Sequence, residues 1–291
     1  MEAIRAFARS VVGRWTLYVA GRRLAELRGV AGPAGSRVAS ALQRTLDGPA
    51  DRAQKEWFNK IETLRTTLES DSTPLSITDY GAGSSHDDRS EEQMEEGVIV
   101  HKTVSDMCRA SKPSFWASIL FELIREYQPD SGLELGTCLG ISAAYQTSAM
   151  ELNGSGSFLT LEGADSLAAV STANLKQLGL DHRVSVLTGR FSDTLASAIE
   201  QMEPIGYAFI DGHHDEHATV EYFEQLLPHL AEQSVLVFDD TSWTEGMKRA
   251  WQTITAHDSV GLAVDLGAFG ICVIDPAITN RAKVKISFRG L

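Results

Sequence analysis

Gly132-Leu133-Glu134-Leu135-Gly136-Thr137-Cys138-Leu139-Gly140-Ile141-Ser142 is the stretch that decides the fold. A short apolar run carries an acid, then turns through two glycines into a new segment. Gly136 and Gly140 let the backbone turn sharply and approach a ligand closely. Outward from this point, apolar runs at Phe158–Glu162, Val184–Leu187, Tyr207–Ile210 and Val235–Phe238 alternate with helical segments. The gaps between them hold about 18–25 residues, the pitch of strand–helix–strand units. That alternation predicts an α/β fold with a mostly parallel, doubly wound sheet and helices on both faces. Leu262–Leu266 and Gly270–Ile274 flank a short turn and predict an antiparallel hairpin closing the sheet.

In such sheets ligands bind at the carboxyl ends of the strands, near the switch point. The first turn offers Glu134, Gly136, Thr137, Gly140 and Ser142. The second strand ends in Glu162-Gly163, and Glu162 lies 28 residues after Glu134. A carboxylate there accepts hydrogen bonds from both hydroxyls of an adenosine ribose. The third strand leads into Arg190, Phe191 and Ser192, at the level of an adenine ring, and the fourth ends in Asp211. A nicotinamide-binding fold is the rival, but its fingerprint is GxGxxG. Here the turn reads acid-x-Gly-x-x-x-Gly.

The chain resembles the class I S-adenosylmethionine (SAM)-dependent methyltransferases. Glu134–Gly140 looks like their first motif and Thr160-Leu161-Glu162-Gly163 like their second. Within that class it is similar to a bacterial group related to catechol O-methyltransferase-like and sugar O-methyltransferases. Asp79-Tyr80-Gly81-Ala82-Gly83-Ser84, Phe209-Ile210-Asp211-Gly212, and Phe238-Asp239-Asp240 followed by Trp243, Met247 and Trp251 carry that similarity. The resemblance implies a seven-stranded Rossmann-like sheet, SAM as cofactor and a small-molecule methyl acceptor. It also implies Mg²⁺ or a similar divalent cation on Asp211, Asp239 and Asp240, the first two 28 residues apart as in the relatives. Oxygen ligands suit that ion. The competing reading is that Asp211 and Asp239 only receive backbone N–H groups at helix starts. His214 falls where the relatives carry a lysine base. His213 is the alternative, one register away, and His217 falls to a structural role on a helix over 218–230. Tyr80 and Trp243 are candidates for the acceptor wall. Two other functions stay open: a metal-independent N-, C- or carboxylate methyltransferase, and a catalytically silent SAM-binding partner protein.

The chain has 291 residues and a formal net charge of −13, which argues against wholesale nucleic-acid binding. The first 46 residues carry eight arginines against Glu2 and Glu26, a local excess of +6. Cys108, Cys138 and Cys272 are scattered, which fits reduced thiols in a cytoplasmic protein. The expected organisation is a helical extension over 1–70, a loop-rich connection over 71–110 that covers the site, the SAM-binding domain over 111–275 and a tail over 276–291. The extension reads as helices over 3–29, 36–46 and 51–69, with Gly32-Pro33 as a break, and a further helix spans about 113–127. Ile4, Phe7, Val11, Trp15 and Tyr18 form an apolar stripe at helical spacing. The stripe needs a partner: the protein's own core, a second copy in a homodimer, or a membrane surface met by residues 1–29. The core or the second copy is the favoured reading.

Overall fold

A computed structural model describes residue 16 and residues 18–83 and 89–288. The extension is helical over 18–28 (α1), Gly32–Asp47 (α2) and Arg52–Glu69 (α3). Of the expected stripe, Ile4, Phe7, Val11 and Trp15 lie outside the described residues, and Tyr18 is exposed. One turn further on, Ala20, Leu24 and Leu27 are fully buried in the main core, so α1 packs on its own chain. Gly32-Pro33 opens α2 rather than only ending α1, because a proline in the first helical turn gives up an N–H that has no partner there anyway. Arg44 on α2 ties this layer to the domain. It meets the buried Glu122 at 2.6 Å and Glu126 at 2.7 Å, and Gln54 on α3 donates to the other Glu122 oxygen at 2.6 Å.

The connection expected to be loop-rich, 71–110, carries regular elements among its described residues. Pro74–Asp79 (β1) pairs antiparallel with Val98–Thr103 (β2), with Glu91–Glu96 (α4) between them. The alternation that marks β1 is short: Leu75 and Ile77 turn inward while Ser76 and Thr78 do not, and two apolar residues are too few to stand out in a polar stretch. Ser90 with Gln93, and Thr103 with Asp106, form capping boxes that start α4 and Val104–Ala110 (α5).

Ser114–Tyr127 (α6) then leads into the main sheet. Its strands are Ser131–Leu135 (β3), Ser157–Glu162 (β4), Val184–Thr188 (β5), Ile205–Ile210 (β6), Leu230–Asp239 (β7), Leu262–Asp265 (β8), Phe269–Ile274 (β9) and Ala282–Lys285 (β10). The helices between them are Ile141–Asn153 (α7), Asp165–Gln177 (α8), Phe191–Met202 (α9), Glu216–Leu226 (α10) and Glu245–Ala256 (α11). The order is β10-β8-β9-β7-β6-β3-β4-β5. β5, β4, β3, β6 and β7 run parallel, β9 is antiparallel to both neighbours, and β10 lies parallel to β8. The sheet therefore has eight strands, not seven. The eighth comes from the segment expected to be a tail, where Ile286 and Phe288 are also buried. α10 begins two residues earlier than expected, because Asp215 caps it by accepting from the His217 and Ala218 backbone N–H groups. It gives way at Leu227-Pro228 to a single 3₁₀ turn before β7. The chain order reverses between β3 and β6, so the crevice beyond the carboxyl ends of these strands is the expected ligand site.

Candidate active site

A cavity of about 580 Å³ opens at that switch point, within the range of small-molecule sites. Its floor is the β3 turn. Gly136 sits at φ 102°, and a Cβ there would fall 2.1 Å from the Asp211 carbonyl oxygen, so only glycine fits. Thr137, Cys138 and Ser142 line the cavity beside it. Glu162 forms the facing wall. Its Oε2 accepts from the Cys138 N–H at 2.7 Å and its Oε1 from the Ala164 N–H at 3.0 Å. Each oxygen keeps a lone pair for a ligand hydroxyl. Burial pushes this carboxyl up to about 7. Gly163, Arg190 and Phe191 continue the wall. Arg190 is held by Asp193 and donates to the Glu95 carbonyl.

Three of the expected cofactor residues, Glu134, Gly140 and Ser192, do not line the cavity. Glu134 is fully buried and absent from the cavity wall; it accepts from Gln146 at 2.7 Å and Thr160 at 2.6 Å. Burial pushes its carboxyl up to about 7. It orders the inner face of the turn because its position on β3 points into the sheet–helix layer. Gly140 lies at φ 80° ahead of α7, and a Cβ there would meet Ser171 at 3.2 Å, so its smallness serves the contact with α8. Ser192 is exposed, on the outer side of the first turn of α9.

The other end of the cavity is charged. Asp211, Gly212, His213 and His214 follow β6, and Asp239 and Asp240 end β7. His214 Nε2 lies 3.5 Å from Asp211 Oδ1, with the Trp243 ring edge-on behind it at 5.6 Å. One ligand atom each from Asp211, His214 and Asp239 fall within 4.8 Å of one another. Asp240 is not in that group, so His214 takes the place expected for it. Burial and the Asp239 carboxylate hold Asp211 well above the usual carboxylate range. His213 lines the same cavity, and two contacts hold it in place. Its Nδ1 pairs with the Tyr222 hydroxyl at 2.5 Å, and its carbonyl accepts from the Ala82 N–H at 3.0 Å. Burial pushes its imidazole below the ordinary value. His217 is exposed on α10, away from the cavity, and Trp243 backs His214 rather than lining the wall. Met247 and Trp251 also pack the interior of this end, Met247 against Thr219 and Trp251 against Gly270 and Phe238.

The roof comes from β1, β2 and the turn after β1. Tyr80 lies against Gly163, where a Cβ would approach its ring at 2.8 Å. Arg89 pairs with Asp79 at 2.9 Å and donates to the Gly81 carbonyl at 2.8 Å, which fixes the turn. Lys112, between α5 and α6, escaped sequence reading. Its Nζ lies 2.5 Å from Asp239 Oδ2 and 3.3 Å from Asp240 Oδ1. Burial alone would lower its pKa, but Asp239, Asp211 and Asp240 outweigh burial and hold the ammonium above its ordinary value. The only hint in the sequence is that it precedes Pro113, whose fixed φ pins the entry to α6.

Residues 133–241 match a family model described as a methyltransferase domain. No curated protein matches the chain. Among solved structures, the cofactor-bound Rv0187 from MTB is 22% identical with a TM-score of 0.50, over 57% of this chain and 82% of that one. The SAH-bound methyltransferase PaMTH1 from Podospora anserina is 16% identical with a TM-score of 0.50, over 58% and 80%. The O-methyltransferase from Bacillus cereus in complex with SAH is 24% identical with a TM-score of 0.48, over 57% and 82%. The expected Rossmann-like fold is borne out, and the methyltransferase-domain model falls on its core, residues 133–241. Among the described residues no helix is long and apolar enough to cross a membrane.

Proposed function

We propose that this methyltransferase domain binds SAM in the switch-point cavity and passes its methyl group to a hydroxyl oxygen of a small acceptor. The observation that carries the reading is the polarity of the cavity. One end offers glycine backbone and a carboxylate with spare lone pairs, and the other offers His214 beside Asp211. SAM supplies an electrophilic methyl group, so the protein's task is placement and removal of one proton.

Glu162 suits the ribose hydroxyls, because its two backbone N–H partners fix the carboxylate plane toward the cavity. Gly136 lets the β3 turn pack directly on the Asp211 backbone and lines the cavity floor. Phe191 is held edge-on by Tyr222 at 5.7 Å and gives a flat apolar surface for a base. Tyr80 closes the cavity from above and keeps water away. His214 is the proton acceptor: its imidazole lines the cavity, and Asp211 Oδ1 at 3.5 Å orients its ring. A methyl acceptor that loses its proton to His214 becomes the nucleophile.

A divalent cation was expected on the acids. The donor atoms are close enough together, but Lys112 already holds Asp239, and no step here is routed through a metal. The test is transfer of labelled methyl from SAM to a panel of small hydroxylated molecules, with SAH as the second product, in EDTA and in Mg²⁺. Labelled product that forms with wild type and falls at least a hundredfold in His214→Ala supports the reading. Methylation confined to amines, carbon or carboxylates would replace it by the other acceptor chemistry.

A further inference from the structure

Asp239 is the most buried charge at the reactive end, with a side chain 1% exposed. Neither of its carboxylate oxygens has a hydrogen-bond donor of good geometry among the described residues. A carboxylate in that position needs a cation. Lys112 supplies one: its ammonium meets Asp239 at 2.5 Å, reaches Asp240 at 3.3 Å and is itself 18% exposed. The Phe269 ring, 6.0 Å from Nζ, closes the far side. The lysine comes from a different part of the chain than the acids, so its seat is built by the fold and is not an accident of neighbours in sequence.

A divalent ion held by Asp211, His214 and Asp239 would need an Asp239 oxygen, and the ammonium already stands on that carboxylate, at Oδ2. Mg²⁺ coordinates oxygen at about 2.0–2.1 Å and takes near-ideal octahedral geometry. An ammonium 2.5 Å from Oδ2 brings its charge close to an ion on either oxygen of the carboxylate. The two cations cannot share the carboxylate without strong repulsion in a weakly hydrated site. The third nearby donor, the His214 imidazole, is also a poor partner for Mg²⁺, which prefers oxygen.

We propose that Lys112 is the resident cation of the reactive end, standing on Asp239 and Asp240 where a divalent ion would otherwise bind, and that its ammonium receives the acceptor oxygen. Lys112 lines the cavity, so an oxygen placed between it and His214 meets a positive charge as its proton leaves. The acceptor class that follows is a hydroxyl whose oxygen becomes anionic, such as a phenol or an enol. This inference rests on the methyltransferase reading for its acceptor, but not for its statement about the cation.

The experiment is titration of the full chain with Mn²⁺, followed by electron paramagnetic resonance and calorimetry, with SAM binding measured on the same samples. Wild type and Lys112→Arg are expected to show no stoichiometric Mn²⁺ site. Lys112→Met is expected to gain one site per chain, and Lys112→Met with Asp239→Asn to lose it again. A stoichiometric site in wild type that disappears in Asp239→Asn would overturn the proposal. So would a folded Lys112→Met, checked by circular dichroism, that binds no Mn²⁺. Failure of the methyltransferase reading would show itself separately, as absence of SAM binding in wild type whatever the Mn²⁺ result.

Discussion

The two ends of the cavity are built in different ways. The end under β3 and β4 is made from backbone: glycines at positive φ, N–H groups fixed by helix starts, and one carboxylate that those N–H groups orient. The end under β6 and β7 is made from charge: Asp211, Asp239 and Asp240, His214 and Lys112 brought together from three separate segments. The first holds a shape and does not need to change during turnover. In the proposed reaction the second takes up a proton and faces a changing charge. Substitutions should therefore separate cleanly, binding at one end and rate at the other.

The largest expected effect is on rate. His214→Ala should lower turnover by about 10²–10⁴ while leaving SAM affinity within about twofold, since the imidazole lies outside the backbone end. Single-turnover kinetics with labelled SAM measures the first and calorimetry the second. Unchanged turnover would move the base elsewhere, and a matching loss of affinity would erase the division between the ends. Next comes Gly136→Ala. The added Cβ meets the Asp211 carbonyl and the residue must hold φ 102°, so thermal unfolding should report a loss of about 3 kcal/mol or more. Gly154→Ala has the same sign of φ with open space around it, and should cost about 1 kcal/mol. Equal costs at the two glycines would mean that contact with the β6 end does not matter.

The contrast between the ends also explains what was legible. The β3 turn and Glu162 lie in contiguous motifs whose spacing follows the strand–helix pitch, so the parallel core and the cavity-wall acid could be read directly. Glu134 shared that motif but pointed inward, a distinction that one residue of strand register decides. His213 and His214 are adjacent and chemically identical. Both line the cavity, and only the Tyr222 hydroxyl and the turn after β1, which hold His213, tell them apart. Lys112 carried no signal, because its meaning comes from Asp239, 127 positions later in the chain. The β1–β2 pair and β10 were missed for a related reason. Each is a short strand with one or two inward apolar residues, stabilised by what it packs against and not by its own pattern.

A smaller effect sharpens the picture of the backbone end. The Glu162 carboxyl is raised by burial to about 7, above its unfolded value, so its charged form is lost as pH falls through that range. Ribose hydroxyls donate best to the anion. SAM affinity should thus weaken about tenfold between pH 8 and pH 6, and the dependence should vanish in Glu162→Gln. A flat profile in wild type would mean that Glu162 meets the ligand in its neutral form.

The most direct measurement of the central claim is calorimetric titration of SAM into wild type, Glu162→Ala and His214→Ala at pH 8. The account predicts one site per chain in wild type, a loss of about 1–3 kcal/mol in Glu162→Ala, and little change in His214→Ala. Undiminished affinity in Glu162→Ala, or no SAM binding to the folded wild type, would contradict it.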